Sequence, residues 1–119
     1  MASLPAPLFA FAGLGRNENF WEAISTMGGT IVGSLGFDDH HIFSASDVTD
    51  IEQGAIAAEG RYLVTTDKDF VRLPTGSRFS MDLIVIGVDI DYGKDSNRLH
   101  TFLMGWLEDH GLNKNPDYP

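Results

Sequence analysis

A chain of 119 residues with a formal charge of −9 and no cysteine is one domain with room for a real core, built without disulfides or thiolate-held zinc. Its 8 Lys and Arg are scattered among 17 Asp and Glu, which argues against a phosphate-tracking nucleic-acid surface and against an anionic membrane surface. The uncharged N-terminal run, residues 1–15, is broken by Pro5 and Pro7 and is too short to span a bilayer, so the segment reads as soluble.

The chain opens with "PLFAFAG" (7–13), a compact apolar run that stops at Gly13 and Gly15, as a buried strand ending in a tight turn does. "NENFWEAISTMGG" then places Phe20, Ile24 and Met27 on one face of a helix over 17–27, closed by Gly28 and Gly29. "TIVGSLGF" (30–37) is the next strand. The helix over 45–59 has a marked start: Ser44 as N-cap, Asp47 three residues on, and Phe43 with Val48 at hydrophobic-staple spacing. Its apolar stripe is Val48, Ile51, Ala55 and Ala58.

"RYLVTT" (61–66) is a strand rich in β-branched and aromatic residues, and "MDLIVIGVDI" (81–90) is nearly unbroken apolar, as a strand covered on both faces is. Leu99, Phe102, Leu103, Trp106 and Leu107 match the stripe of an amphipathic helix over 96–109. Residues 1–112 are expected to form the single domain, and 113–119 a polar, disordered tail. The alternation predicts an α/β fold, a three-layer, Rossmann-like arrangement of a mostly parallel sheet flanked by helices. In such sheets function collects at the carboxyl ends of the strands, where "GLGRNE", "DDHH" and "TTDKD" fall.

Each of these three segments has more than one reading. "GLGRNE" opens a helix, so its amides could receive an anion. It fails as a dinucleotide fingerprint because Glu18 stands where G-x-G-x-x-G needs glycine, and a tight turn accounts for Gly13 and Gly15 equally well. No G-x-x-x-x-G-K-[ST] loop occurs in the sequence.

"DDHH" (Asp38, Asp39, His40, His41) holds atoms suited to zinc, manganese or iron, but four consecutive residues rarely all point at one ion. The manganese phosphoesterases named for Asp-His-His carry further Asp-rich motifs upstream that residues 1–37 lack. A capping or solvated loop is the plain alternative. Acid–base chemistry is the third, since a carboxylate beside an imidazole can hold it in one tautomer. In "VTTDKDFVRLP", Lys68 and Arg72 either pair locally around a capped short helix or face a phosphate.

Together, "FAFAGLGRNENFWEAI", "GSLGFDDHHIFSASDV" and "YLVTTDKDFVRLP" resemble the C-terminal half of the tetraacyldisaccharide 4′-kinase (lipid A 4′-kinase) family. That family's pattern reads approximately A-F-A-G-I-G-x-P-x-x-F-F, then F-P-D-H-H-x-[YF]-[ST]-x-x-D, then [LV]-[VI]-T-T-[ED]-K-D-x-V-R-L. Two departures stand out: Asn17 replaces a frequent proline, which would loosen a helix start, and Asp38 replaces the proline of F-P-D-H-H, which would remove a rigid turn.

The resemblance implies the C-terminal lobe of a P-loop-type kinase that transfers the γ-phosphate of ATP to the 4′-hydroxyl of tetraacyldisaccharide 1-phosphate. The reaction would take place at the cytoplasmic face of a Gram-negative inner membrane. ATP and Mg²⁺ would be held mainly by the N-terminal P-loop domain, the partner of this segment, and the lipid A disaccharide precursor would be the other partner. The segment alone would bind no cofactor or structural metal, show at most weak ATP affinity and be inactive.

The resemblance also implies catalytic roles for His40 and Asp39. His41, Gly13, Gly15, Lys68 and Arg72 would lie near substrate or nucleotide. Both His40 and His41 read as exposed loop positions whose replacement leaves the melting temperature nearly unchanged. The alternatives are a non-catalytic lid lobe and a stand-alone metal phosphoesterase.

Overall fold

The computed structural model describes residues 4–88 and the backbone of 89–91 and 98–107. In chain order the elements are β1 (Leu8–Ala12), α1 (Asn17–Thr26), β2 (Ile31–Gly36), α2 (Ala45–Ala57), β3 (Tyr62–Thr66), α3 (Asp67–Phe70), β4 (Asp82–Asp91) and β5 (Arg98–Leu107). The sheet order is β2-β1-β3-β4-β5; the first four strands run parallel and β5 pairs antiparallel with β4.

Period-two alternation splits the apolar strands into two cores, one on each face of the sheet. Leu8, Ala10, Ala12, Val64, Ile84, Ile86 and Val88 pack with Phe20 and Ile24 of α1. Phe9, Phe11, Leu63, Leu83 and Val85 pack with Ile51 and Ala55 of α2 and with Phe43, Phe70, Leu73 and Phe79. The fold is therefore three-layered, and the apolar stripes expected on both long helices are the buried ones. At α2 the expected cap forms in full: the Ser44 hydroxyl accepts from the Asp47 amide, and the Asp47 carboxylate accepts from the Ser44 amide.

Phe9 explains a glycine in the middle of a helix. Cβ atoms added at Gly33, Gly54 and Gly60 would lie 3.0, 2.9 and 3.2 Å from Phe9. Gly54 costs α2 about 1 kcal/mol of intrinsic propensity, and the space it leaves lets a buried phenyl ring wedge between helix and sheet.

The helix expected over 96–109 is not formed. Residues 98–107 are strand, in register from Asp91↔Arg98 to Leu83↔Leu107 with a shift between Val85 and Ile86; residues 96, 97, 108 and 109 and the expected tail 113–119 lie outside the described residues. Two physical reasons favour the strand. Without it, the ten-residue β4 would be an open, apolar sheet edge, which a hairpin partner covers. Thr101, Phe102 and Trp106 are also strand-preferring residues, and Gly105 weakens a helix there.

The crossovers leave β1 for β2 on one side and β3 for β4 on the other. The sheet thus has its switch point between β1 and β3, and the carboxyl ends of those strands are where doubly wound sheets form their binding crevice.

Candidate active site

Three short segments meet in that crevice, and a buried carboxylate joins two of them. Asp69 has no solvent exposure. Its Oδ1 accepts the Gly13 amide at 2.9 Å and its Oδ2 accepts the Thr66 hydroxyl at 2.6 Å, while Thr66 caps α3 by accepting from the Asp69 amide at 3.0 Å. Burial pushes the Asp69 carboxyl above its ordinary value, against the pull of Thr66, Gly13 and Arg72. Gly13 has to be glycine, because a Cβ there would stand 2.7 Å from the Asp38 carbonyl oxygen.

Residues 38–41 form a turn closed by the His41 amide on the Asp38 carbonyl (3.0 Å), with His40 at φ 62. Asp38 therefore does not abolish the turn as expected: the hydrogen bond closes it, and His40 takes the left-handed position that a side chain adopts only at a cost. Asn17 does work here that a proline could not. Its carbonyl accepts the Leu14 amide (2.7 Å) and its amide donates to the Phe37 carbonyl (3.0 Å), clamping the ends of β1 and β2 together.

The turn sends its two imidazoles in different directions. The His41 ring stacks on Phe37 (centroids 4.8 Å apart), meets Phe43 edge-on, and bonds Asp47 Oδ2 through Nε2 at 2.7 Å. Asp47 is held below its ordinary carboxyl value, first by the Ser44 amide and, against the opposing effect of burial, by His41. His41 is thus part of the α2 cap, with its side chain 31% exposed, and is not the open loop position expected from the sequence.

The His40 side chain is 76% exposed. Its amide donates to the Gly13 carbonyl at 3.2 Å, and its ring lies between Arg72, whose Nη2 is 3.0 Å from Nδ1, and Asp39, whose Oδ2 is 3.5 Å from Nε2. A guanidinium only donates, so Nδ1 is the accepting nitrogen and the ring proton sits on Nε2, facing Asp39. The Asp39 carboxylate lies over Gly15, 3.6 Å from where a Cβ would stand. Arg72 Nη1 is 3.9 Å from Asp69 Oδ1, and its carbonyl accepts the Phe43 amide.

The structure therefore gathers Gly13, Gly15, Asp39, His40 and Arg72 and assigns His41 to the cap. Lys68 is exposed and makes no hydrogen bond or ion pair among the described residues. The Gly13 and Leu14 amides are taken by Asp69 and Asn17.

A family model described as tetraacyldisaccharide-1-P 4′-kinase matches residues 2–108. The chain belongs to that kinase family. Among curated relatives, the tetraacyldisaccharide 4′-kinase of Rhodospirillum centenum is 33% identical over 104 residues, covering 87% of this chain and 31% of the relative. That of Methylorubrum extorquens (strain PA1) is 44% identical over 75 residues, 63% of this chain and 23% of the relative. That of Desulfatibacillum aliphaticivorans is 31% identical over 99 residues, 83% and 27%. The chain spans roughly a quarter to a third of the length of these relatives. No solved structure matches.

The resemblance read from three motifs therefore stands, and in this kinase-family chain all three converge on one crevice. Sequence reasoning passed over Asp69 and undervalued Asn17. The signal for Asp69 was a Thr-x-x-Asp spacing at the end of a strand, which reads as a cap and gives no hint that the carboxylate turns inward to reach Gly13. Among the described residues no group of three or more His, Cys, Asp or Glu could hold a metal ion. Among the described residues no helix is long and apolar enough to cross a membrane.

Proposed function

We propose that this chain supplies the proton-handling side of a tetraacyldisaccharide 4′-kinase active site, in which the γ-phosphate of ATP passes to the 4′-hydroxyl of tetraacyldisaccharide 1-phosphate. One observation carries the reading: a solvent-facing His40, on a left-handed backbone at the sheet's switch point, with Asp39 on one ring nitrogen and Arg72 on the other. Family membership and the relatives' names support it.

Phosphoryl transfer asks the protein chiefly to position groups and stabilise charge, with one residue orienting or deprotonating the nucleophile. In this reading the attacking oxygen bonds to the γ-phosphorus as the bond to the ADP oxygen breaks. The hydroxyl proton passes to the Asp39 carboxylate, which the Nε2–H of His40 faces and orients. ATP and magnesium are held by the P-loop portion of the family's chain, which is also the partner that closes the cleft. The reaction takes place at the cytoplasmic face of the inner membrane, and neither nucleic acid nor a resident metal of this segment takes part. The segment by itself is inactive and binds ATP weakly.

In the kinase that carries this segment, His40→Ala lowers kcat about 10²–10⁴-fold, the usual contribution of a general acid–base group, and leaves KM for ATP within a few-fold. Full turnover by this variant would return the segment to the second reading, a non-catalytic lid. That reading has its own support in the His41–Asp47 contact, which makes half of the motif a helix cap.

A further inference from the structure

Two separate routes lead from His40 back to Asp69. The first runs through the backbone: the His40 amide bonds the Gly13 carbonyl, and the Gly13 amide bonds Asp69 Oδ1. The second runs through side chains: the Arg72 guanidinium reaches His40 Nδ1 at 3.0 Å with one nitrogen and approaches Asp69 Oδ1 to 3.9 Å with another. We propose that Asp69 is the positioning residue of this site, holding the strained backbone on which His40 stands and aiming Arg72 at Nδ1, so that His40 presents Nε2–H toward Asp39.

The chemistry of the buried group fits this role better than that of a cap alone. Thr66 caps α3 through its own oxygen accepting the Asp69 amide; an Asn or Ser at 69 would leave that bond intact. The carboxylate is needed for something else. Its two oxygens each receive a donor, the Gly13 amide and the Thr66 hydroxyl, and its charge faces Arg72. An asparagine there turns an NH₂ group against one of those donors and removes the charge that orients the guanidinium. Arg72 in turn keeps Nδ1 free of its proton. Without it the ring proton can sit on either nitrogen, and the fraction that presents Nε2–H to Asp39 falls.

This rests on the reading of the His40–Asp39 pair as the proton-handling group, with His40 orienting Asp39. The test is a double-mutant cycle in the kinase that carries this segment, with kcat, KM for ATP and melting temperature measured for Asp69→Asn, His40→Ala and the pair. The proposal expects Asp69→Asn to lower kcat about 10- to 100-fold, the scale of a small misplacement of a catalytic group. KM for ATP stays within about two-fold, and kcat falls no further when His40 is already Ala. An equal loss in both backgrounds, or no loss with His40 present, would overturn it.

If His40→Ala turns over at full speed, the reading of His40 falls and this proposal with it. If His40→Ala is slow while Asp69→Asn is fast, only the positioning role falls. Should Asp69→Asn not fold, Arg72→Gln cuts the side-chain route from a partly exposed position. It must likewise lower kcat only while His40 is present, and additivity with His40→Ala would overturn the proposal.

Discussion

At the scale of single residues, the DDHH run divides into parts with different work. Asp38 closes the turn with its carbonyl, Asp39 and His40 face the crevice, and His41 completes the cap of α2. The spacing of the motif announced polar chemistry before a helix. It did not announce the division, because which way each side chain leaves the turn is set by the left-handed φ at His40, and nothing in four consecutive letters encodes that.

The cap gives a pH-dependent prediction. Asp47 is held below its ordinary value of 3.8, so the folded state favours its ionised form. That stabilisation is present above about pH 3.8 and is lost as the pH falls through the lowered folded value. Asp47→Asn is expected to cost roughly 0.5–2 kcal/mol at neutral pH, with the gap between variant and wild type narrowing in acid melts. A gap that stays constant down to pH 2.5 would show that the charge contributes nothing. Asp69 acts with the opposite sign: its raised folded value means that its own contribution declines as the pH rises from 3.8 through that value.

Gly13 and Gly15 separate in the same way. Gly13→Ala drives a Cβ to 2.7 Å from a backbone oxygen and is expected to cost about 1–3 kcal/mol in chemical denaturation, while Gly15→Ala, whose nearest neighbour is Asp39 Oδ2 at 3.6 Å, stays within about 0.5 kcal/mol.

At the scale of elements, the helices over 17–26 and 45–57 and the four parallel strands were legible because apolar periodicity and a capping box mark them without help from distant residues. The last element was not. Leu99, Phe102, Leu103, Trp106 and Leu107 satisfy a helical stripe, but a ten-residue strand at Asp82–Asp91 demands an edge partner, a demand visible only once the sheet order is known. Amide and Hα cross-peaks in solution NMR are expected between Val88 and Thr101 and between Gly87 and Phe102, opposite pairs in the register. Sequential helical cross-peaks over 98–107 would restore the helix.

Helix α2 supplies a second check. Gly→Ala inside a helix ordinarily stabilises by about 1 kcal/mol. Gly54→Ala is expected to destabilise instead, by about 1–3 kcal/mol, because its Cβ would meet the buried Phe9 ring at 2.9 Å. A higher melting temperature for this variant would show that Phe9 has room to move.

At the scale of the whole molecule, strand order decides where chemistry can collect. With β1 and β3 adjacent and their crossovers diverging, the ends of both strands and the loop after β2 are brought to one crevice, and the three motifs that identify the family are the three segments that line it. That convergence was foreseeable from the fold class. The buried keystone beneath it was not, since Gly13 and Asp69 are 56 positions apart and neither residue type signals the other.

The central claim is that His40 serves chemistry and His41 serves structure. The most direct test measures turnover and melting together for His40→Ala and His41→Ala in the kinase that carries this segment. His40→Ala is expected to lose turnover about 10²–10⁴-fold with an unchanged melting temperature. His41→Ala keeps turnover within a few-fold and melts a few degrees lower, having lost its bond to Asp47 and its stacking on Phe37, worth roughly 1–3 kcal/mol together. The reverse pattern, with His41→Ala slow and His40→Ala merely less stable, would contradict it.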